Sequence, residues 1–349
     1  MMIESRGLTK RYGTMLAADH VTFNVAKGSI LGFLGPNGAG KSTTMKMLSC
    51  FMPPTAGTAR VAGCDILEDS LGVRRRLGYL PESVPLYTDM RVREYLSFRC
   101  KIKRVPRRQR KSRIDYVIER CGIDNVRNRI IGQLSKGYRQ RVGLADAMVH
   151  NPDVLILDEP TVGLDPMQIR EVRSLIKSLA EAHTVLLSTH ILPEVDMICD
   201  AVVIIRRGRI VLTDTLANLT RAGADRVIVR LRAGEPEALG AFGSMPGVRS
   251  VEARRRKEDD EPGVVELALT AQPETDLREA AFQKAVQCGF ALVELRRDVP
   301  TLEEVYMKTV TGEEDEKIAA DGGLQAPQEA GEGADETGAG QSAEGGPEQ

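Results

Sequence analysis

No stretch of the 349 residues approaches the ~20 consecutive apolar residues that a membrane helix requires. The longest apolar runs, such as Val202-Val203-Ile204-Ile205, are strand-sized. The early basic residues Arg6, Lys10 and Arg11 are followed by no long apolar region, so no secretory leader is expected. Charge of one sign is missing as well. Acids and bases nearly cancel, 49 against 48, for a formal net charge of -1. That argues against a dedicated polyanion binder and leaves local basic patches open. Cysteine pairs are absent too. Cys50, Cys64, Cys100, Cys121, Cys199 and Cys288 lie far apart with no C-x-x-C spacing, so a zinc site or redox pair is not expected. They read as small core residues in a reducing compartment. Large apolar residues nearly vanish after Thr311. Such a segment cannot bury enough surface to offset its ordering entropy, so residues 311–349 are expected to be a disordered acidic tail. Together these absences predict a soluble, cytoplasmic chain.

What is present is more specific. Gly35-Pro36-Asn37-Gly38-Ala39-Gly40-Lys41-Ser42-Thr43 fits the phosphate-binding pattern G-x-x-x-x-G-K-[ST] at every fixed position. The glycines let backbone N–H groups approach phosphate oxygens. Lys41 supplies a point charge for the β- and γ-phosphates, and Ser42 a hydroxyl for Mg²⁺. The apolar run Ser29 to Leu34 before the loop predicts a buried strand. Met45, Met47 and Leu48 after it predict a helix, whose N-terminus favours an anion. The loop therefore implies a nucleoside triphosphate.

The length suits two domains plus extra segments. Strand-like runs alternate with helical patterns over residues 1 to about 220, predicting an α/β domain. A polar helical interlude from about Pro85 to Asn128 carries Arg99, Lys101, Lys103, Arg104, Arg107, Arg108, Arg110, Lys111 and Arg113. These read either as a solvated helical face or as a contact for a partner or anionic lipid. From about Asp225 the pattern becomes β-α-β-β-α-β, predicting a small ferredoxin-like α+β domain. Its strands are expected at residues 226–231, 248–251, 264–269 and 292–295, with a solvated turn at Arg254 to Gly263 and a last helix from Leu302 to Val310. The boundaries read as 1–222, 223–310 and the tail 311–349.

A second nucleotide pattern is Val154-Leu155-Ile156-Leu157-Asp158-Glu159, a buried strand with two carboxylates at its C-terminal end. Ligands of open α/β sheets bind at that edge. Asp158 suits the water shell of Mg²⁺ and Glu159 suits polarising an attacking water.

With Asp158 and Glu159 placed, the chain resembles the ATP-binding cassette (ABC) ATPases. Leu134-Ser135-Lys136-Gly137-Tyr138-Arg139-Gln140-Arg141 is similar to their signature, Pro160-Thr161-Val162-Gly163-Leu164-Asp165 to their D-loop, Ser188-Thr189-His190 to their switch histidine and Tyr12-Gly13 to their A-loop. Lys136 replaces the usual first glycine of the signature, and Glu82 stands where the Q-loop glutamine usually sits. Both variants, with Thr301-Leu302-Glu303-Glu304-Val305-Tyr306, resemble the ABC-2 export type, including gliding-motility-associated subunits.

The resemblance implies an ABC-type P-loop NTPase fold with a helical subdomain and ATP sandwiched between two subunits, identical or paralogous. One would supply Tyr12, Lys41, Ser42, Glu82, Asp158, Glu159 and His190. The other would supply Ser135 and Gly137, with Asp165 near the dimer contact. Mg²⁺ would sit by Ser42, Glu82 and Asp158. Tyr12 would stack on adenine; its alternative is a turn aromatic packed on the sheet edge. Tyr138 reads as a packing or coupling residue. His20, His150 and His183 read as exposed or capping. The implied function is ATP hydrolysis driving a separate membrane permease, with the chain peripheral to the cytoplasmic face of the inner membrane. The alternative is a soluble ABC ATPase acting on the ribosome or DNA. One phosphate loop and an ordinary Lys41-to-Asp158 separation disfavour that alternative, and no nucleic-acid partner is expected.

Overall fold

The computed structural model describes residues 1–221, 226–254, 263–272, 275–298 and 301–311. The elements up to the signature are β1 (Ile3–Tyr12), β2 (Met15–Val25), β3 (Ile30–Leu34), α1 (Lys41–Leu48), β4 (Ala56–Val61), β5 (Cys64–Asp65), α2 (Ser70–Arg76), β6 (Leu77–Leu80), α3 (Val92–Ile102) and α4 (Arg107–Arg120). They continue with α5 (Lys136–Met148), β7 (Val154–Asp158), α6 (Pro166–Leu179), β8 (Thr184–Thr189), α7 (Leu192–Ile198), β9 (Ala201–Arg206), β10 (Arg209–Thr215) and α8 (Leu216–Arg221). The last group is β11 (Arg226–Arg232), α9 (Glu235–Gly243), β12 (Val248–Ala253), β13 (Val264–Ala271), α10 (Arg278–Gln287), β14 (Ala291–Arg297) and α11 (Leu302–Thr311).

The central sheet runs β10-β9-β3-β8-β7-β6, parallel from β9 to β6, with β10 antiparallel on one edge. Strands β3, β7, β8 and β9 are almost fully buried, mostly apolar runs because both faces are covered, whereas β10 at the edge alternates exposed and half-buried residues. Side chains alternate between the faces. Leu155, Leu157, Val185, Leu187, Val202 and Ile204 join the core that holds α3, α4, α5 and α6. Val154, Ile156, Leu186, Val203 and Ile205 join a second core with Met45, Met47 and Leu48 of α1.

That second core is closed by a separate antiparallel sheet, β2-β1-β4-β5. Simple strand–helix alternation over the first 220 residues does not anticipate it. β2 exposes alternate residues and contributes Ala18, Val21, Phe23 and Val25 inward. This half-buried pattern suits an antiparallel sheet with one wet face.

The interlude is two helices, and its basic residues divide. Lys101, Arg107, Arg108 and Lys111 are exposed. Arg99 Nε instead donates to Asp146 Oδ1 of α5 at 2.8 Å, and Lys103 Nζ lies 3.2 Å from the same oxygen. Arg113 donates to the Met148 and Val149 carbonyls. These pairs bind the interlude to α5. Asp146→Ala would leave two poorly hydrated cations unpaired. It is expected to cost about 3 kcal/mol, the scale for breaking a largely buried pair, read as a lowered denaturation midpoint.

Residues 226–298 contain the antiparallel sheet β12-β13-β11-β14, with α9 and α10 on the face carrying Val227, Val229, Leu231, Leu267 and Leu269. The β-α-β-β-α-β order matches the sequence reading. Leu302 of α11 packs into the core of the central sheet, with Val305 and Tyr306 against it. α11 extends through Thr311, one residue into the expected tail; residues 312–349 lie outside the described residues. Of the turn at 254–263, only Arg254 and Gly263 are described.

Cys100, Cys121 and Cys199 are buried, Cys50 and Cys64 half-buried, and Cys288 exposed, all as free thiols. His183 corrects its reading as exposed or capping: it is buried, its Nδ1 2.6 Å from the Pro152 carbonyl. His150 is half-buried on the Leu77 carbonyl at 3.0 Å, and burial pulls its pKa down to about 3. Of these three, only His20 is open to solvent. No helix among the described residues is long and apolar enough to cross a membrane.

Candidate functional site

Strand register assembles the site. Leu34 pairs with Thr189, and Ser188 with Asp158, so β3, β8 and β7 end level. Each then releases a functional segment at the same edge of the sheet. After β3 the chain turns through Gly35 to Gly40 into α1. Gly40 has φ 107°, and a Cβ there would collide with the Ala17 carbonyl oxygen, so this position requires glycine. No side chain caps the start of α1, which leaves N–H groups free for an anion. Pro36, Asn37 and Gly38 are exposed, Gly35 and Ala39 are buried, and Thr43 is half-buried.

Lys41 is buried. Its Nζ donates to the Gly35 carbonyl at 2.7 Å and the Pro36 carbonyl at 3.2 Å, and lies 3.2 Å from Glu159 Oε1. The other Glu159 oxygen accepts from His190 Nδ1 at 2.9 Å. Glu159 has φ 49°, a left-handed backbone costing a non-glycine residue about 1–2 kcal/mol. Its N–H holds that conformation by donating to the Ser188 carbonyl and hydroxyl, both at 3.1 Å.

Ser42 Oγ donates to Asp158 Oδ1 at 3.1 Å, and Ser188 Oγ donates to the same oxygen at 2.5 Å. Burial pushes the Asp158 carboxyl above its usual range, with Glu159 and Glu82 adding to the rise while the two serine hydroxyls oppose it. Exposed Glu82 lines one cavity with Ser42 and Asp158. Among the described residues no group of three Asp, Glu, His or Cys side chains could hold a metal alone. A hydroxyl, a buried carboxylate and a nearby second carboxylate fit a hydrated Mg²⁺ that takes its remaining ligands from waters and phosphates.

The sequence-predicted residues thus form one connected cluster: Lys41, Ser42, Asp158, Glu159 and His190. Ser188 joins it, although sequence reasoning assigned it no role; its one signal is its place two residues before His190. Tyr12, Ser135 and Gly137 make no hydrogen bond to the cluster. Tyr12 is the last residue of β1, 43% exposed, its hydroxyl 3.0 Å from Met52 Sδ. Ser135 caps α5, its Oγ accepting from the Tyr138 N–H at 3.4 Å. Gly137 is buried against the Gln168 side chain, and the Lys136 ammonium lies on Gly163. Tyr138 is half-buried, its hydroxyl 2.6 Å from Asn125 Nδ2. Asp165 caps α6, accepting from the Met167 and Gln168 N–H groups.

Residues 18–162 match the family model described as ABC transporter. The chain is 40% identical over 211 residues to the bacitracin transport ATP-binding protein BcrA of Bacillus licheniformis, covering 60% of this chain and 68% of that one. It is 34% identical over 314 residues to the daunorubicin resistance ATP-binding protein DrrA3 of Streptomyces coeruleorubidus, covering 88% of this chain and 95% of that one. A dimeric structure of a bacterial ABC transporter cassette superposes with a TM-score of 0.57 at 25% identity, over 62% of this chain and 99% of that one. With the glycine loop, the paired carboxylates and His190 meeting at one sheet edge, the chain belongs to the ABC transporter ATP-binding family and is an ATPase subunit.

Proposed function

We propose that residues 1–222 form a nucleotide-binding domain that pairs around ATP and drives a separate permease, in the direction of export, at the cytoplasmic face of the inner membrane. Residues 223–310 would be a second, smaller domain. The observation that carries this reading is the connected Ser42–Asp158 and Lys41–Glu159–His190 cluster at level strand ends. The names of the bacitracin transport and daunorubicin resistance relatives support transport and export.

Lys41 already points into its own loop, where two carbonyls and Glu159 stand in for phosphate oxygens. ATP would take Lys41 over and release Glu159 to accept a proton from the attacking water. His190, 2.9 Å from Glu159, would keep it oriented and would contact the γ-phosphate. The backbone N–H groups of Gly38 and of Gly40 to Thr43 would bind the phosphates, while the Ala39 N–H stays on the Pro36 carbonyl, and Tyr12, 43% exposed with the Lys10 ammonium 5.6 Å from its ring centre, would stack on adenine. Mg²⁺, held by Ser42 and through water by Asp158 and Glu82, would neutralise the phosphates. Ser135 and Gly137 lie outside this cluster, which suits a role on the partner's ATP. The dimeric cassette structure supports that pairing.

A cavity of about 890 Å³ beside Ser42 and Glu82 supports the permease partner. Phe51, Leu71 and Ile102 line it while 72%, 63% and 51% exposed. Arg74, Arg75 and Arg104 line it without a carboxylate partner among the described residues. Arg75→Glu with Arg104→Glu is expected to leave the basal ATPase of the isolated chain intact and abolish its stimulation by the reconstituted permease. Unchanged stimulation would remove this surface from the interface. The function itself is tested by isolating the chain from its native cell. Co-purification with an integral membrane protein whose transport consumes ATP is expected; stable association with ribosomes or DNA instead would overturn the proposal.

A further inference from the structure

The turn between β9 and β10 lies outside every nucleotide motif, yet it is bonded directly to the phosphate loop. The Gly208 N–H donates to the Ala39 carbonyl at 2.9 Å. The Gly208 carbonyl accepts from the Asp19 N–H of β2 at 2.8 Å. Gly208 has φ 82°, and a Cβ there would stand 3.2 Å from the Ala17 carbonyl oxygen, so the turn is held close to β2. The same Ala17 carbonyl lies against Gly40 of the loop. Two strands from different sheets, β2 and β10, therefore grip the loop from behind.

One side-chain pair closes the grip. Asp19 is buried, 6% exposed, and its Oδ2 accepts from Arg209 Nε at 2.5 Å. Its Oδ1 accepts from His20 Nδ1 at 2.6 Å. Both donors lie at the surface, so the carboxylate is the fixed member and the guanidinium bolts β10 onto β2. A trans peptide holds its C=O and N–H on opposite sides. Fixing the Ala39 carbonyl on Gly208 therefore turns the Gly40 N–H away from the turn.

We propose that Asp19 and Arg209 are positioning residues for ATP, acting through Gly208 to hold the Ala39–Gly40 peptide with its N–H facing the phosphates. The proposal rests on the phosphate-loop assignment of residues 35–43. It extends the site to residues that no nucleotide motif contains and that stand 190 positions apart.

The test uses the full chain in four variants: Arg209→Met, Arg209→Lys, Asp19→Asn and Lys41→Ala. Affinity is read with a fluorescent ATP analogue, KM and kcat from steady-state turnover, and folding from the thermal midpoint. Arg209→Met and Asp19→Asn are expected to raise the dissociation constant and KM about tenfold, the scale of one charge-assisted hydrogen bond. The kcat at saturating ATP should stay within about twofold, because a misplaced loop that is filled by excess nucleotide still meets Glu159 and His190. Arg209→Lys should recover most of the affinity. Arg209 is exposed, so its variants keep the test open if Asp19→Asn fails to fold. A lowered thermal midpoint with unchanged affinity would make the pair purely structural and overturn the proposal, as would no change in either. If Lys41→Ala also left affinity intact, the phosphate-loop assignment itself would fail.

Discussion

Glu159→Gln is expected to slow ATP turnover by about 10²-fold or more, the scale for losing a general base, while nucleotide binding survives. The substitution keeps the side-chain shape and an oxygen for His190. The backbone should hold its left-handed conformation, because the N–H anchors on Ser188 do not involve the carboxylate. What disappears is the negative charge, and it does two things here. It is the proton acceptor, and it is also the partner of Lys41 at 3.2 Å. Removing it frees the Lys41 ammonium for phosphate, so ATP affinity should hold or rise as turnover collapses. This combination separates a general base from a residue that merely supports the loop, since loss of support would lower affinity too. Single-turnover hydrolysis with direct binding measurements reads both quantities. In size-exclusion chromatography with ATP and Mg²⁺ the variant should run as a dimer. A monomer under those conditions would count against ATP lying between two chains, and turnover near the parent rate would remove Glu159 from the chemistry.

The parts of the site legible in the sequence are those written in contiguous residues. Gly35 to Thr43 joins a buried strand to a helix, and the apolar run at 154–157 delivers two carboxylates to a strand end; both patterns carry their geometry with them. The β-α-β-β-α-β order of residues 226–298 was readable because 226–231 mixes charged and apolar residues like a half-buried strand and the other strand-sized apolar runs are separated by helical and polar segments. Partners far apart in the chain left no local trace. Asp19 meets Arg209 only because β2 and β10 leave their separate sheets on either side of the loop. The basic interlude misleads for the same reason. Its periodicity fits a solvated face, but Asp146 of α5 draws Arg99 and Lys103 inward. His183 is polar by composition and buried in fact, its Nδ1 held 2.6 Å from the Pro152 carbonyl. β1, β2 and β4 look like further strands of one sheet; only pairing partners, which composition does not encode, assign them to another.

Ser135→Arg is expected to abolish steady-state hydrolysis while leaving ATP binding to the single chain unchanged. Ser135 sits at the exposed start of α5, with no bond to Lys41, Ser42 or Glu159. An arginine there cannot disturb the phosphate loop of its own chain through contact. It removes a cap, which costs the helix about 1 kcal/mol, too little to unfold a domain of this size. Any collapse of turnover must then come from the face that Ser135 presents outward, where in the proposed pair it meets the partner's γ-phosphate. The decisive measurement mixes this variant with Lys41→Ala, which is itself expected to be inactive because it lacks the charge placed against the phosphates. In a mixed pair, one composite site has the intact loop of the Ser135→Arg chain and the intact signature of the Lys41→Ala chain. The other site carries both lesions. Turnover should therefore reappear on mixing, capped at one working site per mixed pair, with neither variant active alone. Recovery of this kind requires the two segments to act across chains and cannot arise from a defect within one. Normal turnover by Ser135→Arg alone would show that residues 134–141 are not a working signature. Silence of the mixture, with both variants folded and Ser135→Arg still binding ATP, would mean that the two segments do not serve one site from opposite chains.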